Sequence, residues 1–180
     1  MKTLRILALC GSLRAASSNK SLLQAAQRLA PDNIDIQFYD GLAGLPHFNP
    51  DLDGDAPAAS VLDLRRQVGW ADGLLVSTPE YARGVPGSLK NALDWLVSSS
   101  EFPDKPVALF NASQRSTHAP ESLRITLQTM SARLIDEACI TVPLLGRKLD
   151  AAQIADDAEL GPQVRAALVT FAAAISPSES

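Results

Sequence analysis

The chain has 180 residues, of which 46% are hydrophobic and 20% charged, and this size and composition predict one globular domain spanning residues 1–180. Its net charge of −4 at pH 7, without a basic stripe, argues against a nucleic-acid-binding protein. The cysteines, Cys10 and Cys139, and the histidines, His47 and His118, show no metal-ligand spacing, which argues against a zinc site and predicts reduced thiols in the cytoplasm.

The first half of the chain alternates apolar runs with amphipathic segments. Leu4–Cys10 is almost wholly apolar and predicts a buried strand. A secretory signal is the other interpretation of such a run, but this one is too short for it and Arg5 interrupts it. Residues 19–29 carry apolar side chains at helical spacing, whereas residues 34–39 alternate apolar and polar side chains as an edge strand does. Residues 41–59 are rich in proline, glycine and aspartate and predict a long surface loop. We find no apolar run of membrane-spanning length.

The second half continues the alternation of strands and helices. Strands are predicted at residues 73–77, 106–110 and 138–142, and helices at residues 60–71, 86–96, 120–130 and 164–175. Ser60 is the predicted cap of the first of these helices, and Pro86 and Pro120 are predicted to open the next two. The order predicts a doubly wound α/β protein, with a five-stranded parallel sheet covered by helices on both faces.

Ligands of doubly wound sheets bind outside the carboxyl ends of the strands, at the point where the strand order reverses. The loops predicted to meet at that point are residues 11–19, 78–85 and 111–119. The first of these loops leads from a buried strand directly into a helix. A helix amino terminus supplies free N–H groups and the positive end of a dipole, which favours a bound phosphate.

The side chains of the first loop are rich in hydrogen-bond donors. These donors are Ser12, Arg14, Ser17, Ser18 and Asn19. The loop lacks the G-x-G-x-x-G pattern of dinucleotide-binding proteins and the G-x-x-x-x-G-K pattern of ATPases. An ordinary helix cap beside a solvated Arg14 is the alternative interpretation.

The second loop is stiffened by prolines, and Gly84 permits a sharp turn within it. Such a loop can present backbone N–H and C=O groups to the edge of a flat heterocycle, with Tyr81 as an aromatic wall and Arg83 as a charge. The alternative is a plain connection between strand and helix, in which Glu80 is a solvated carboxylate.

Together, the two loops resemble the NAD(P)H-dependent FMN reductase family, which includes quinone, chromate and azo-dye reductases. The similar segments are Gly-Ser-Leu-Arg at residues 11–14 with Ser17 and Asn19, Thr-Pro-Glu-Tyr at residues 78–81, and Pro-Gly-Ser-Leu-Lys-Asn-Ala-Leu-Asp-Trp at residues 86–95. The resemblance implies a flavodoxin-like fold with the strand order 2-1-3-4-5.

The resemblance assigns the first loop to the FMN phosphate and the second loop to the flavin ring. The implied phosphate-binding residues are Ser12, Arg14, Ser17 and Asn19, with Ser18 adding its backbone N–H and hydroxyl. The implied ring-binding residues are Pro79, Glu80, Tyr81 and Ala82, with Arg83 beside them and Ser113 in the third loop. Family members usually have asparagine where this chain has Ala82, and many have a glycine-rich third loop.

The resemblance also implies a homodimer or homotetramer. The charge, the cysteines and the lack of a long apolar run predict a cytoplasmic protein whose partners include neither nucleic acid nor a membrane. In such an enzyme NADPH or NADH reduces bound FMN, which then reduces a small acceptor: a quinone, free flavin, an azo compound or chromate. No catalytic side chain is required, because the chemistry takes place at the flavin N5 atom. A flavodoxin-type electron carrier and a flavin-free binding module are the alternatives, whereas a serine hydrolase would need a G-x-S-x-G motif that the chain lacks.

Overall fold

The computed structural model describes residues 3–54 and 56–175, and a parallel sheet forms its centre. The strands are β1 (Leu4–Cys10), β2 (Ile34–Phe38), β3 (Gly73–Ser77), β4 (Pro106–Asn111), β5 (Arg133–Leu134) and β6 (Ile140–Thr141). They follow the order β2-β1-β3-β4-β5, all pairs are parallel, and β6 pairs with β4 further along that strand than β5 does. This order confirms the predicted flavodoxin-like sheet.

Helices cover both faces of the sheet, as predicted. Helices α1 (Ser18–Leu29), α5 (Ala151–Asp156) and α6 (Leu160–Ile175) pack on one face, and α2 (Ala59–Trp70), α3 (Gly87–Leu96) and α4 (His118–Thr129) pack on the other. Along β1, Ile6 and Ala8 enter the first core, while Leu7 and Leu9 enter the second. Burial on both faces explains why β1 is apolar at every position except Arg5. Within the described ranges, no helix is long and apolar enough to cross a membrane.

The segment between β2 and α2 is held firmly against α3. It contains two short 3-10 turns, Leu42–Gly44 and Pro50–Leu52, in place of a wholly irregular loop. The buried Trp95 donates its Nε1–H to the Pro46 carbonyl at 2.8 Å and meets the Phe48 ring edge-on, with 5.0 Å between the ring centroids. The tryptophan of the 86–95 motif is therefore a structural brace for this segment.

The starts of helices α2, α3 and α4 differ from the predictions by one or two residues. Ser60 is the wrong cap, because Ala58 occupies the N-cap position of α2 and Ser60 lies inside the helix. Pro86 is the N-cap of α3 and not its first residue, and α4 begins at His118, two residues before Pro120. The first-turn N–H groups have no partner within a helix, so proline is tolerated anywhere in that turn and marks a start only loosely.

The last third of the chain departs most from the predictions. The strand predicted at residues 138–142 is wrong in its extent: β5 and β6 replace it, separated by a 3-10 turn at Asp136–Ala138. Helix α5 was not predicted, although Asp150 and Gln153 form a capping box at its start, because six residues are too few to display an apolar period. Helix α6 begins at Leu160, four residues before the predicted start at residue 164.

Candidate functional site

A cavity of about 370 Å³ opens at the carboxyl ends of β1, β3 and β4. The three loops that follow these strands converge on it, as the connectivity of a doubly wound sheet requires. Nine predicted cofactor-binding residues line the cavity: Ser12, Arg14, Ser17, Ser18, Asn19, Pro79, Glu80, Tyr81 and Ser113. Ala82 and Arg83, the other two, do not line it.

The amino end of α1 carries backbone donors without partners. Ser17 is the N-cap residue, and its hydroxyl accepts from the N–H of Lys20 at 3.3 Å. In the part of the chain that the structure describes, nothing accepts from the N–H groups of Ser18 and Asn19. The exposed Arg14 lines the same cavity. Ser17 therefore does form an ordinary helix cap, as the alternative interpretation holds. This cap still leaves the N–H groups of Ser18 and Asn19 and the guanidinium of Arg14 available to an anion.

The first and second loops pack directly against each other. Gly11 donates its N–H to the Ser77 carbonyl at 2.9 Å, and a Cβ atom at Gly11 would lie 2.3 Å from Thr78 Oγ1. Only glycine fits at such an approach of backbone to side chain. Behind this contact the buried Ser77 hydroxyl donates to Asn19 Oδ1 at 2.9 Å. Asn19 thus ties α1 to the end of β3, in addition to its predicted contact with a phosphate.

The second loop ends in a tight hairpin whose corner is Ala82 and Arg83. Tyr81 and Gly84 exchange backbone hydrogen bonds of 3.1 and 3.0 Å across it. The φ angles of Ala82 and Arg83 are 49° and 61°, as a two-residue hairpin turn of mirror-image type requires. The geometry gives no support to the predicted contact of these two residues with the flavin ring. Asparagine tolerates positive φ better than alanine does, which offers a backbone reason for the asparagine usual in the family that the chain resembles.

Replacing Ala82 with asparagine is expected to stabilise the protein by up to about 1 kcal/mol, because asparagine adopts the left-handed conformation at lower cost. Thermal unfolding followed by circular dichroism should show a Tm higher by roughly 2–4 °C. Ala43→Asn is the control, since Ala43 is exposed in a 3-10 turn and has no positive φ. A Tm that rises no more for Ala82→Asn than for the control would show that the hairpin corner is not strained.

Glu80 caps a helix and is not the solvated carboxylate of the alternative interpretation. Its Oε2 accepts from the N–H groups of His118 at 2.9 Å and Ala119 at 3.0 Å, and the Ser116 hydroxyl lies 3.5 Å away. The N–H of Ala119, and then that of His118, holds the pKa of Glu80 below its ordinary value. Thr117, the N-cap residue of α4, makes no side-chain cap bond. The amino end of α4 is therefore already occupied by a negative charge.

The third loop is held in shape by its own side chains. Asn111 Oδ1 accepts from the Ser113 N–H at 3.1 Å, and Asn111 Nδ2 donates to the Ser116 carbonyl at 3.1 Å. The Ser113 hydroxyl accepts from the Arg115 N–H at 3.2 Å. These bonds make residues 111–116 a compact unit without any glycine.

Several residues of the cavity lining were not predicted as site residues. Thr78, Asn111 and Ser116 line the cavity and lie in the loops predicted to meet there. Their position in those loops could have identified them as site residues. Leu145 comes from the segment after β6, is 57% exposed, and has no sequence feature that points to the cavity.

The model of the NADPH-dependent FMN reductase family matches residues 4–144, which include all three loops. The chain is 42% identical over 113 residues to a 2-hydroxy-1,4-benzoquinone reductase of a Burkholderia species, with 61% of each chain covered. It is 37% identical over 106 residues to a quinone reductase of Escherichia coli, covering 58% of this chain and 55% of that one. The matched region thus spans less than two thirds of the length of these relatives.

Two solved structures share the fold over nearly the whole chain. FerB from Paracoccus denitrificans, a flavoenzyme NAD(P)H:(acceptor) oxidoreductase, superposes with a TM-score of 0.79 at 27% identity, covering 96% of this chain and 97% of that one. The apo form of the NADH:FMN oxidoreductase EMOB superposes with a TM-score of 0.71 at 22% identity, covering 98% of this chain and 92% of that one. The second likeness shows the fold alone.

Proposed function

Because this chain belongs to the NADPH-dependent FMN reductase family, we propose that it is an FMN-dependent oxidoreductase that moves electrons from NADPH or NADH to a small acceptor. Bound FMN would supply the redox chemistry, since its N5 atom can accept a hydride from reduced nicotinamide. The relatives named for quinone reduction support a quinone as the acceptor. The proposal also includes free flavin, azo compounds and chromate as electron acceptors.

The anion site at the amino end of α1 is the observation that carries the proposal. It offers the unpaired N–H groups of Ser18 and Asn19 together with the Arg14 guanidinium. A phosphate monoester, such as that of FMN, matches these donors in charge and in hydrogen bonding. The amino end of α4, which begins two residues after the cavity-lining Ser116, cannot compete for the phosphate because Glu80 already fills it.

The second and third loops supply the remaining walls, between which the flavin ring would be held. Pro79 and Tyr81 line the cavity from the second loop, and Ser113 lines it from the third. Tyr81 is 50% exposed and Leu145 is 57% exposed, so apolar surface surrounds an open mouth. An open, partly apolar mouth suits a nicotinamide and a flat acceptor that bind in turn.

The proposal includes three further properties. Residues 1–180 act as one FMN-binding domain, the protein is a homodimer or homotetramer, and it works in the cytoplasm. The cytoplasmic location is supported by Cys10 and Cys139, which form no disulfide and whose thiol pKa values are both raised by burial. Light scattering of the purified protein would measure the oligomeric state.

Absorbance spectroscopy of the purified protein with added FMN tests the proposed function. We expect flavin bands that bleach under anaerobic NADPH or NADH and return when a quinone is added. Both the bleaching and the return should be faster than those of free FMN at the same concentration. If the protein binds flavin that neither nucleotide bleaches, the proposal is wrong and the protein is better interpreted as an electron carrier. A protein that binds no FMN would overturn it and leave a flavin-free binding module.

A further inference from the structure

We propose that Glu80 is a positioning residue that fixes the flavin-binding slot by joining the second loop to the amino end of α4. The inference rests on the FMN-dependent function proposed above. Glu80 follows β3, whereas the N–H groups that it binds, those of His118 and Ala119, lie 38 and 39 positions later in the chain. One carboxylate oxygen therefore connects two loops that form different walls of the cavity.

On the α4 side, the contact anchors the whole third loop. Residues 111–116 are joined by their own hydrogen bonds, and Ser116 lies only two residues before the first helical residue, His118. This unit is anchored at one end by β4 and at the other by the start of α4. Because Thr117 makes no side-chain cap bond, Glu80 supplies the cap for this helix end. Loss of the carboxylate would leave two N–H donors unpaired and release one end of the loop.

On the other side, Glu80 stands on a stiff support. Pro79 precedes it and restricts the backbone, and Tyr81 after it is fixed by the hairpin bonds to Gly84. Because Glu80 stands on this support, the length of its side chain sets how far the start of α4 lies from the second loop, and so sets the separation of the two walls. We infer that Glu80 acts on the flavin ring through this spacing and does not act on the phosphate, which the amino end of α1 would hold.

Titration of FMN and of riboflavin into the full-length protein, followed by flavin fluorescence, separates the two ends of the site because riboflavin lacks the phosphate. Glu80→Ala should weaken both ligands by the same factor, about tenfold. Glu80→Gln keeps an acceptor oxygen at the same reach and should bind both ligands within about threefold of the wild type. Glu80→Asp keeps the charge but is one methylene shorter, and it should resemble Glu80→Ala.

Glu121→Ala is the matched control, because it removes an exposed carboxylate from the first turn of α4 that does not line the cavity. This variant should lower the Tm slightly and leave both flavin affinities unchanged. If Glu80→Ala fails to fold, the comparison of Glu80→Gln with Glu80→Asp gives the same test.

Three results would overturn the inference alone: unchanged affinities in Glu80→Ala or Glu80→Asp, a loss confined to FMN, or a Glu80→Gln variant as weak as Glu80→Ala. A wild-type protein that binds neither flavin would overturn the proposed function as well. Binding by the wild type therefore separates failure of the inference from failure of the function.

Discussion

Arg14→Ala is expected to weaken FMN binding by about 1.5–3 kcal/mol, the usual value of a hydrogen bond to a charged group. Arg14 lies in the loop that begins α1, and its guanidinium is the full positive charge beside the free N–H groups of Ser18 and Asn19. Because Arg14 is exposed, added salt should reduce the difference between variant and wild type. Isothermal titration calorimetry at two salt concentrations measures both the loss of FMN affinity and its dependence on salt.

Riboflavin and a distant arginine provide the controls for this prediction. Riboflavin has no phosphate, so its affinity should be the same in Arg14→Ala and the wild type. Arg28→Ala removes an equal charge at an exposed position in the last turn of α1 and should leave FMN affinity unchanged. Arg14→Lys should recover only part of the loss, because an ammonium keeps the charge but lacks the planar fork. Equal FMN affinity in Arg14→Ala and the wild type would show that Arg14 does not belong to the proposed phosphate site.

The strands that can be predicted to the residue are those buried on both faces. Leu4–Cys10 and Gly73–Ser77 are apolar apart from Arg5 and Ser77, because nearly every side chain along them enters one of two cores. The fifth position of the sheet lacks this signal. There, β5 and β6 have two residues each, and the turn between them carries the charged Asp136 and Glu137. Their pairing with β4 is a tertiary contact that no local pattern encodes.

The position of the candidate site follows from chain connectivity, since the loops after β1, β3 and β4 must meet at one edge of the sheet. The tasks of individual side chains within those loops do not follow from it. Glu80 is used by a helix that begins 38 positions later, and Ala82 is required to turn the backbone. Leu145 enters the lining through the path of the chain after β6. Such tasks depend on contacts between distant positions, which one sequence does not display.

Gly11→Ala is expected to damage both stability and FMN binding. The new Cβ atom would lie 2.3 Å from Thr78 Oγ1, 2.8 Å from Thr78 Cβ and 3.1 Å from Leu89 Cδ2. The Gly11 backbone cannot retreat without loss, because its N–H bonds the Ser77 carbonyl at 2.9 Å. Overpacking of this kind costs about 1–3 kcal/mol of unfolding free energy, and at about 2–4 °C per kcal/mol the Tm should fall by several degrees. FMN affinity should fall too, since the clash would push the first loop away from the second, and both loops line the cavity.

A double-mutant cycle with Thr78→Ala tests whether this clash is the cause. Thr78→Ala removes Oγ1, the atom nearest to the added methyl group, so Gly11→Ala should cost less unfolding free energy in that background than in the wild type. Gly87→Ala is the control for glycine replacement itself, because a Cβ there meets nothing within 4 Å and Gly87 is exposed at the start of α3. That variant should keep or slightly raise the Tm, because alanine favours the helix. Equal costs of Gly11→Ala in both backgrounds would mean that the Thr78 Oγ1 atom is not what excludes a side chain at this position.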